Sequence, residues 1–408
     1  LIEYDSVTLT SVVDGNGSIY VLAGGTITAT HVVSSTDKAG NNVCLAATAG
    51  NVLVAYVAAG RNHGQVFISS SGGIMDGDAK GSDDLDLVAN TAILCAGGAI
   101  GGGPTDPMET NVGTIYTFAN GAAINLNITG DIEIFYVGNQ AVRVTATGKI
   151  TATYIKTGGQ DVSLTSTGNK VVIDHIDTGP TSGLVTLTAL SSVAMDAATA
   201  TGETPTLNCG NTLKISTTNT LKSLAAGTND LELHGIVKTA AHAEFNINGN
   251  VLIDAALTAG LTLKVHSNAG SIALKGTYGV GSDCEVLAYG QGTGTQDITI
   301  NAAMTVAKGL HIESTKGAVT MNGTFQSVDY ANITALNKLY FNGSLTVGTL
   351  VNGKLTSGGG AHLKSQNGIV EAHGSIWAYV EITIDGKPGY IIDAKITSVT
   401  KTVSITTH

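Results

Sequence analysis

Proline, arginine, aromatic side chains and charge are all scarce in this chain. Of 408 residues only 5 are proline, 5% are aromatic and 12% are charged, and Arg61 and Arg143 are the only arginines. An average chain carries about 5% proline and about 25% charged residues. Without proline or a three-residue glycine period, a collagen-like helix is excluded. Nucleic-acid binding wants a clustered basic surface, and 20 basic against 31 acidic residues, for a net charge of −11, exclude that partner. No apolar run approaches the ~18 residues of a membrane-crossing helix, so no transmembrane segment is expected. Glu, Lys, Arg and Met are few, so long helices are not expected either.

What is abundant is glycine, 53 residues, set among Thr, Ser, Val, Ala and Asn. With 43% hydrophobic residues the chain is too apolar for disorder. This composition predicts an all-β protein of many short strands joined by glycine corners. A low-charge surface coated with Thr, Ser and Asn fits an extracellular or cell-surface location. The four cysteines, Cys44, Cys95, Cys209 and Cys284, lack metal-type C-x-x-C spacing and lie in or beside apolar stretches. They read as small buried hydrophobes. The chain opens at Leu1 without a basic-then-apolar leader, as expected of a processed or excised sequence.

Self-similarity carries the architecture. Leu263-Lys-Val265-His-Ser267 followed by Gly270, Ile272, Leu274 and Gly276 matches Leu310-His-Ile312-Glu-Ser314 followed by Gly317, Val319, Met321 and Gly323. Ala361-His-Leu363-Lys-Ser365, with Gly368, Val370, Ala372 and Gly374, is a third copy. Looser copies anchor at Ala23, Ser70, Ala119, Ser166 and Thr217, at intervals of 47 to 51 residues. Within each copy apolar residues fall two apart, the strand period with one face buried. A second, more variable unit between anchors, such as Ala335-x-x-x-Leu339-x-Phe341-x-Gly343, halves the period to roughly 21–28 residues, one coil of a solenoid.

The pattern therefore predicts a single-domain, right-handed parallel β-helix (β-solenoid) of about 16 coils. An eight-bladed β-propeller is the alternative, since eight copies near 49 residues also suit four-stranded blades. Blades pack through recurrent aromatics, however, and the chain has one Trp. Residues 1–14 read as an N-terminal strand or cap, 15–375 as the solenoid, and 376–408 as a C-terminal hairpin and strand. In that last segment Trp377, Val380, Ile382 and Ile384 precede a turn at Asp385–Gly389, and Tyr390, Ile392, Val403 and Ile405 follow it. An open solenoid end exposes unpaired strand groups. These eight residues are therefore candidates either for capping the last coil or for pairing with a second subunit, giving a homo-oligomer or fibre.

Coils of the form apolar-x-apolar-x-Ser-x-x-Gly-x-apolar-x-apolar-x-Gly resemble those of filamentous haemagglutinin-type adhesins and related surface β-helices. The stretch Leu87–Leu94 running into Gly97–Gly101 has the same pattern. The resemblance spans most of residues 15–375. It implies a right-handed parallel β-helix, secretion, and a role in attachment or surface structure, with a glycan or a host or cell-surface receptor as partner. It brings no catalytic residues.

Three constellations bear on chemistry. Asp76, Asp78, Asp83, Asp84 and Asp86 place five carboxylates within eleven residues, the hard oxygen donors that calcium takes. Lys80 and Leu87 occupy positions where an EF-hand loop needs ligands. The segment thus reads either as a solvated acidic loop or as a calcium site; no other cofactor is expected. The i,i+2 pairs Asp131 with Glu133, Glu232 with His234, and Glu371 with His373 could serve a β-helical polysaccharide lyase or hydrolase, whose chemistry needs clustered carboxylates. Strand alternation places these pairs on outward faces, and no carboxylate recurs in consecutive copies. The histidines show no H-E-x-x-H spacing for zinc. The reading is a non-catalytic structural or adhesive surface protein that self-assembles end to end. The alternatives are the polysaccharide enzyme and a carbohydrate-binding module.

Overall fold

A strand with one apolar edge buries it only when other strands lie directly above and below. The structure, a computed structural model, describes all residues except 79–83, 104, 197–202, 219–228, 290–294, 388 and 408. In strand Leu263–Ser267 the residues Leu263, Val265 and Ser267 point inward, and Lys264 and His266 outward. It lies in parallel register between Ala243–Ile247 and Cys284–Ala288, pairing Val265 with Phe245 on one side and with Val286 on the other. Aliphatic side chains therefore stack on aliphatic side chains from coil to coil. The described residues are all-β, with parallel strands stacked as a β-solenoid. Parallel coil-to-coil pairing excludes the propeller, whose blades are antiparallel meanders.

Contacts divide the chain into two compact units, residues 1–190 with 207–210, and 191–206 with 211–408. Together they hold about 18 turns, against the 16 expected from sequence. In the second unit each coil contributes a five-residue strand, a corner and a nine-residue strand. The nine-residue strands Val251–Ala259, Ile272–Val280, Ile298–Val306, Val319–Ser327, Leu339–Val347, Val370–Ala378 and Tyr390–Ser398 pair in unbroken parallel register. Each bends at its centre, where one row reads Ala255, Gly276, Ala302, Gly323, Gly343, Gly374 and Ala394. Gly276 takes φ +95°, the left-handed region that disfavours a side chain.

The corner explains the repeat. Ser267, Ser314 and Ser365 are buried, and each accepts the N–H of the glycine three residues on, at 2.9, 2.8 and 3.2 Å. The same hydroxyls donate to carbonyls of the preceding coil: Gly249 at 2.7 Å, Gln296 at 2.6 Å, and Asn337. One row runs Ser267, Ala288, Ser314, Ala335, Ser365, Gly386, so serine alternates with a residue that cannot form the bridge. The 49-residue period is therefore two coils.

In the first unit Ala23, Ala47, Ser70, Ala96 and Ala119 share one row. Ser166 belongs to another row, through Ala146 to Ile128. The long strand Met108–Ala119 joins the two rows, pairing its first residues with Leu126–Ile128 and its later ones with Glu133–Tyr136. Spacing alone could not separate two corners of one coil.

Both expected terminal caps are coils. Ile2–Glu3, Val7–Leu9 and Val12–Asp14 pair in parallel with Ile19–Ala23, Ile27–Ala29 and Val32–Ser34. The strands on either side of the expected turn do not form a hairpin. Ile382–Gly386 pairs in parallel with Ala361–Ser365 and Val403–Thr407, and Tyr390–Ser398 with Val370–Ala378. Alternation alone cannot distinguish a strand that returns beside its neighbour from one that continues the coil past a corner. A hairpin occurs elsewhere: Thr349–Val351 pairs antiparallel with Lys354–Ser357. Asn352 and Gly353, at φ +51° and +74°, make the Asn-Gly turn that right-twisted strands favour.

A Cβ added at Gly368 would collide with the Asn337 carbonyl oxygen of the coil below. Gly368→Ala is expected to lower unfolding free energy by about 1–3 kcal/mol, as overpacking does. Ser365→Ala is expected to cost about 1 kcal/mol through its lost bridge. Urea unfolding midpoints of the two variants check both values.

Candidate functional site

Asp76 closes the strand Ile74–Asp76 on the first unit's four-stranded face, where Ile74–Asp76 stacks on Val52–Val54. Gly77 N–H donates to Val54 O at 2.8 Å, holding the start of the excursion against the coil below. The chain returns at Asp86, whose N–H donates to Glu109 O at 2.9 Å and whose carbonyl accepts from Val57 N at 2.7 Å. Asp86 is thereby fixed by its main chain between two coils, and its side chain is wholly buried.

This arrangement brings carboxylate oxygens of Asp76, Asp78 and Asp86 within 4.8 Å of one another. Asp84 is exposed and outside that group, and Asp83 lies outside the described residues. Asp86 Oδ2 accepts the Glu109 N–H at 2.9 Å, and Asp78 N–H donates to Asp76 Oδ1 at 2.9 Å. Asp86 Oδ1 and Asp78 Oδ1 are buried without a hydrogen-bond partner. Burial, reinforced by Asp76, Glu109 and Asp78, pushes the Asp86 carboxyl up to about 8. Burial raises Glu109 and Asp76 too, with neighbouring acids adding to it.

Glu109, itself buried, was not among the acids singled out from sequence. The signal lay in the coil spacing: Leu87 pairs with Thr110, which sets Asp86 directly beside Glu109.

The eight C-terminal candidates separate into two groups. Ile382 and Ile384 are fully buried beneath Val403 and Ile405. Trp377 and Val380 are half-buried, and the indole Nε1 of Trp377 is buried without a partner. Ile392 is half-buried, while Val403, Ile405 and Tyr390 stay 37%, 39% and 45% exposed. The inward rows that are sealed at Ile382 and Ile384 are thus open at Val403 and Ile405.

The carboxylates considered for sugar chemistry are engaged elsewhere. Asp131 Oδ1 accepts the Lys149 N–H at 2.6 Å, and Glu133 accepts the Thr153 hydroxyl at 2.9 Å. Glu232 pairs with His234 at 3.0 Å, and Glu371 with His373 at 3.1 Å and with Lys338. His234 lowers the Glu232 carboxyl, and Lys338 lowers that of Glu371. Other outward charges pair between neighbouring coils, as His266 does with Glu285 at 2.6 Å and Lys364 with Asp385 at 3.7 Å.

An outward aromatic row in the first unit was also missed. Tyr20, Cys44, Phe67, Ile93, Tyr116, Phe135 and Tyr154 occupy one register position in successive coils. Tyr116 stacks on Phe135 at 4.6 Å and Tyr154 on His175 at 4.7 Å. Aromatic composition is low, but five of the aromatic residues share this one line, which only the register reveals.

All four cysteines are free thiols. Cys209 and Cys284 are buried as expected, whereas Cys44 and Cys95 sit half-exposed on outward rows. No family model, curated protein or solved structure matches the chain. Among the described residues, no helix is long and apolar enough to cross a membrane.

Burial pushes the Cys284 thiol up to about 12. In the native protein a maleimide is expected to modify Cys44 and Cys95 and to spare Cys209 and Cys284. In denaturant all four should react. Mass spectrometry of labelled peptides checks this division.

Proposed function

We propose that the protein is a non-catalytic, extracellular structural or adhesive solenoid that assembles through its open coil end. One observation carries this reading. The inward aliphatic rows are sealed throughout the second unit but uncovered at Val403 and Ile405, beside strand edges whose N–H and C=O groups point along the stack. Apolar surface and an unpaired ladder together favour the addition of another strand. In this reading the adding strand comes from a second copy. Half-exposed Ile392 and exposed Tyr390 supply the remainder of the contact.

The outward faces support a scaffold over an enzyme. Their charged residues pair with one another, and the carboxylates weighed for glycoside chemistry already accept hydrogen bonds or face a histidine or lysine. Adhesive specificity would rest on the corner loops and on the aromatic row of the first unit, since loops tolerate variation that stacked strands do not.

Sedimentation and electron microscopy over rising micromolar concentration test the proposal. The parent chain is expected to form end-joined assemblies, and Val403→Asp with Ile405→Asp is expected to leave single particles with unchanged β content. Single particles of the parent at every concentration would overturn the assembly reading. Product release from a panel of acidic polysaccharides would replace it with the enzyme.

A further inference from the structure

The acidic cluster of the first unit has a property that a solvated surface loop lacks: its innermost member is out of water. Asp86 is 0% exposed, its Oδ1 has no hydrogen-bond partner, and this carboxylate converges with those of Asp76 and Asp78. An isolated buried carboxylate is expensive unless it is paired or coordinates a metal. Among the described residues, the charged side chains that raise it are Asp76, Glu109 and Asp78, all of its own sign. A cation would satisfy all of them at once.

We propose that Asp76, Asp78 and Asp86 bind one hard divalent cation, calcium, with buried Glu109 adding negative charge beside it. The donor set is carboxylate oxygen alone, which suits calcium or magnesium better than zinc, whose sites are built on histidine nitrogen and cysteine sulfur with carboxylate as a supplement. Calcium is favoured of the two. It accepts six to eight oxygens in flexible geometry, whereas magnesium demands near-ideal octahedral order and keeps its waters. The three ligands fall within eleven residues of sequence, close to the length of an EF-hand loop, but the coils of the solenoid hold them in place. Here Asp76 ends a strand, and Asp86 is held by the main chain of Val57 on one side and Glu109 on the other. A bound ion would therefore tie the strand end at Asp76 to Asp86 and the coils that hold it. This inference is independent of the assembly reading and would survive its failure.

The test uses the full chain stripped with a chelator and probed with calcium alone, then with magnesium alone. Isothermal titration is expected to give one calcium per chain at or below about 1 mM, the range of extracellular calcium modules. The thermal midpoint should rise with calcium and rise less with magnesium. Asp78→Asn and Asp86→Asn should each weaken calcium binding by on the order of tenfold or more, through loss of one charged ligand. Should Asp86→Asn fail to fold, Asp78→Asn, nearer the surface, carries the affinity test alone. A stripped chain with intact β signal that shows neither calcium heat nor a thermal shift overturns the proposal, as does binding unchanged in both variants.

Discussion

The backbone ladder between successive coils is the constraint on which the rest of the structure depends. Parallel strands hydrogen-bond only when neighbouring chains approach to about 4.8 Å, and that spacing must hold at corners as well as along strands. At the corners it leaves no space for a side chain, so glycine fills positions such as Gly317 and Gly368, where a Cβ would strike a carbonyl of the coil below. The bend of the nine-residue strands obeys the same limit with an unbroken row of glycine and alanine. Abundant glycine is therefore the footprint of close stacking, and scarce proline is its complement, since each missing N–H would break a rung.

Once the spacing is set, side chains at equivalent positions must be compatible with themselves. Inward rows are aliphatic and seal one another. Outward rows are ladders: Asn322 bonds Asn301 at 2.7 Å, and rings stack on rings in the first unit. Several charges on outward rows face opposite charges in neighbouring coils, as His266 does Glu285 and Lys338 does Glu371. The acidic cluster is the exception. There stacking sets Asp86 against Glu109 and the strand end sets Asp76 beside them, and no described cation answers.

Much of the fold was legible in the sequence because solenoid coils repeat their physics. Leu263, Val265 and Ser267 announce an inward face, and the recurrence of Ser-x-x-Gly announces the corner. The two-coil period was legible as well, although its cause, a serine that bridges alternate coils, needs the register. What was not legible depends on register or on which corner a turn occupies. Glu109 is remote from the acidic run in sequence and adjacent in space. Ala119 and Ser166 share a spacing but not a row. The segment Asp385–Gly389 has hairpin composition, yet the strands on either side of it pair with neighbouring coils and not with each other, whereas Asn352-Gly353, a stronger hairpin signal, was passed over within the repeat.

Cross-linking reads the register directly. With the native cysteines replaced by alanine, Lys275→Cys combined with Asn301→Cys places two thiols on adjacent rungs, within the Cα separation of about 4.4–6.8 Å that a disulfide spans. Lys275→Cys combined with Asn322→Cys places them two rungs apart, about 10 Å, which a disulfide does not span. Parallel in-register stacking predicts rapid intramolecular oxidation of the first pair and none of the second. Equal oxidation of both, or of the second alone, would contradict it.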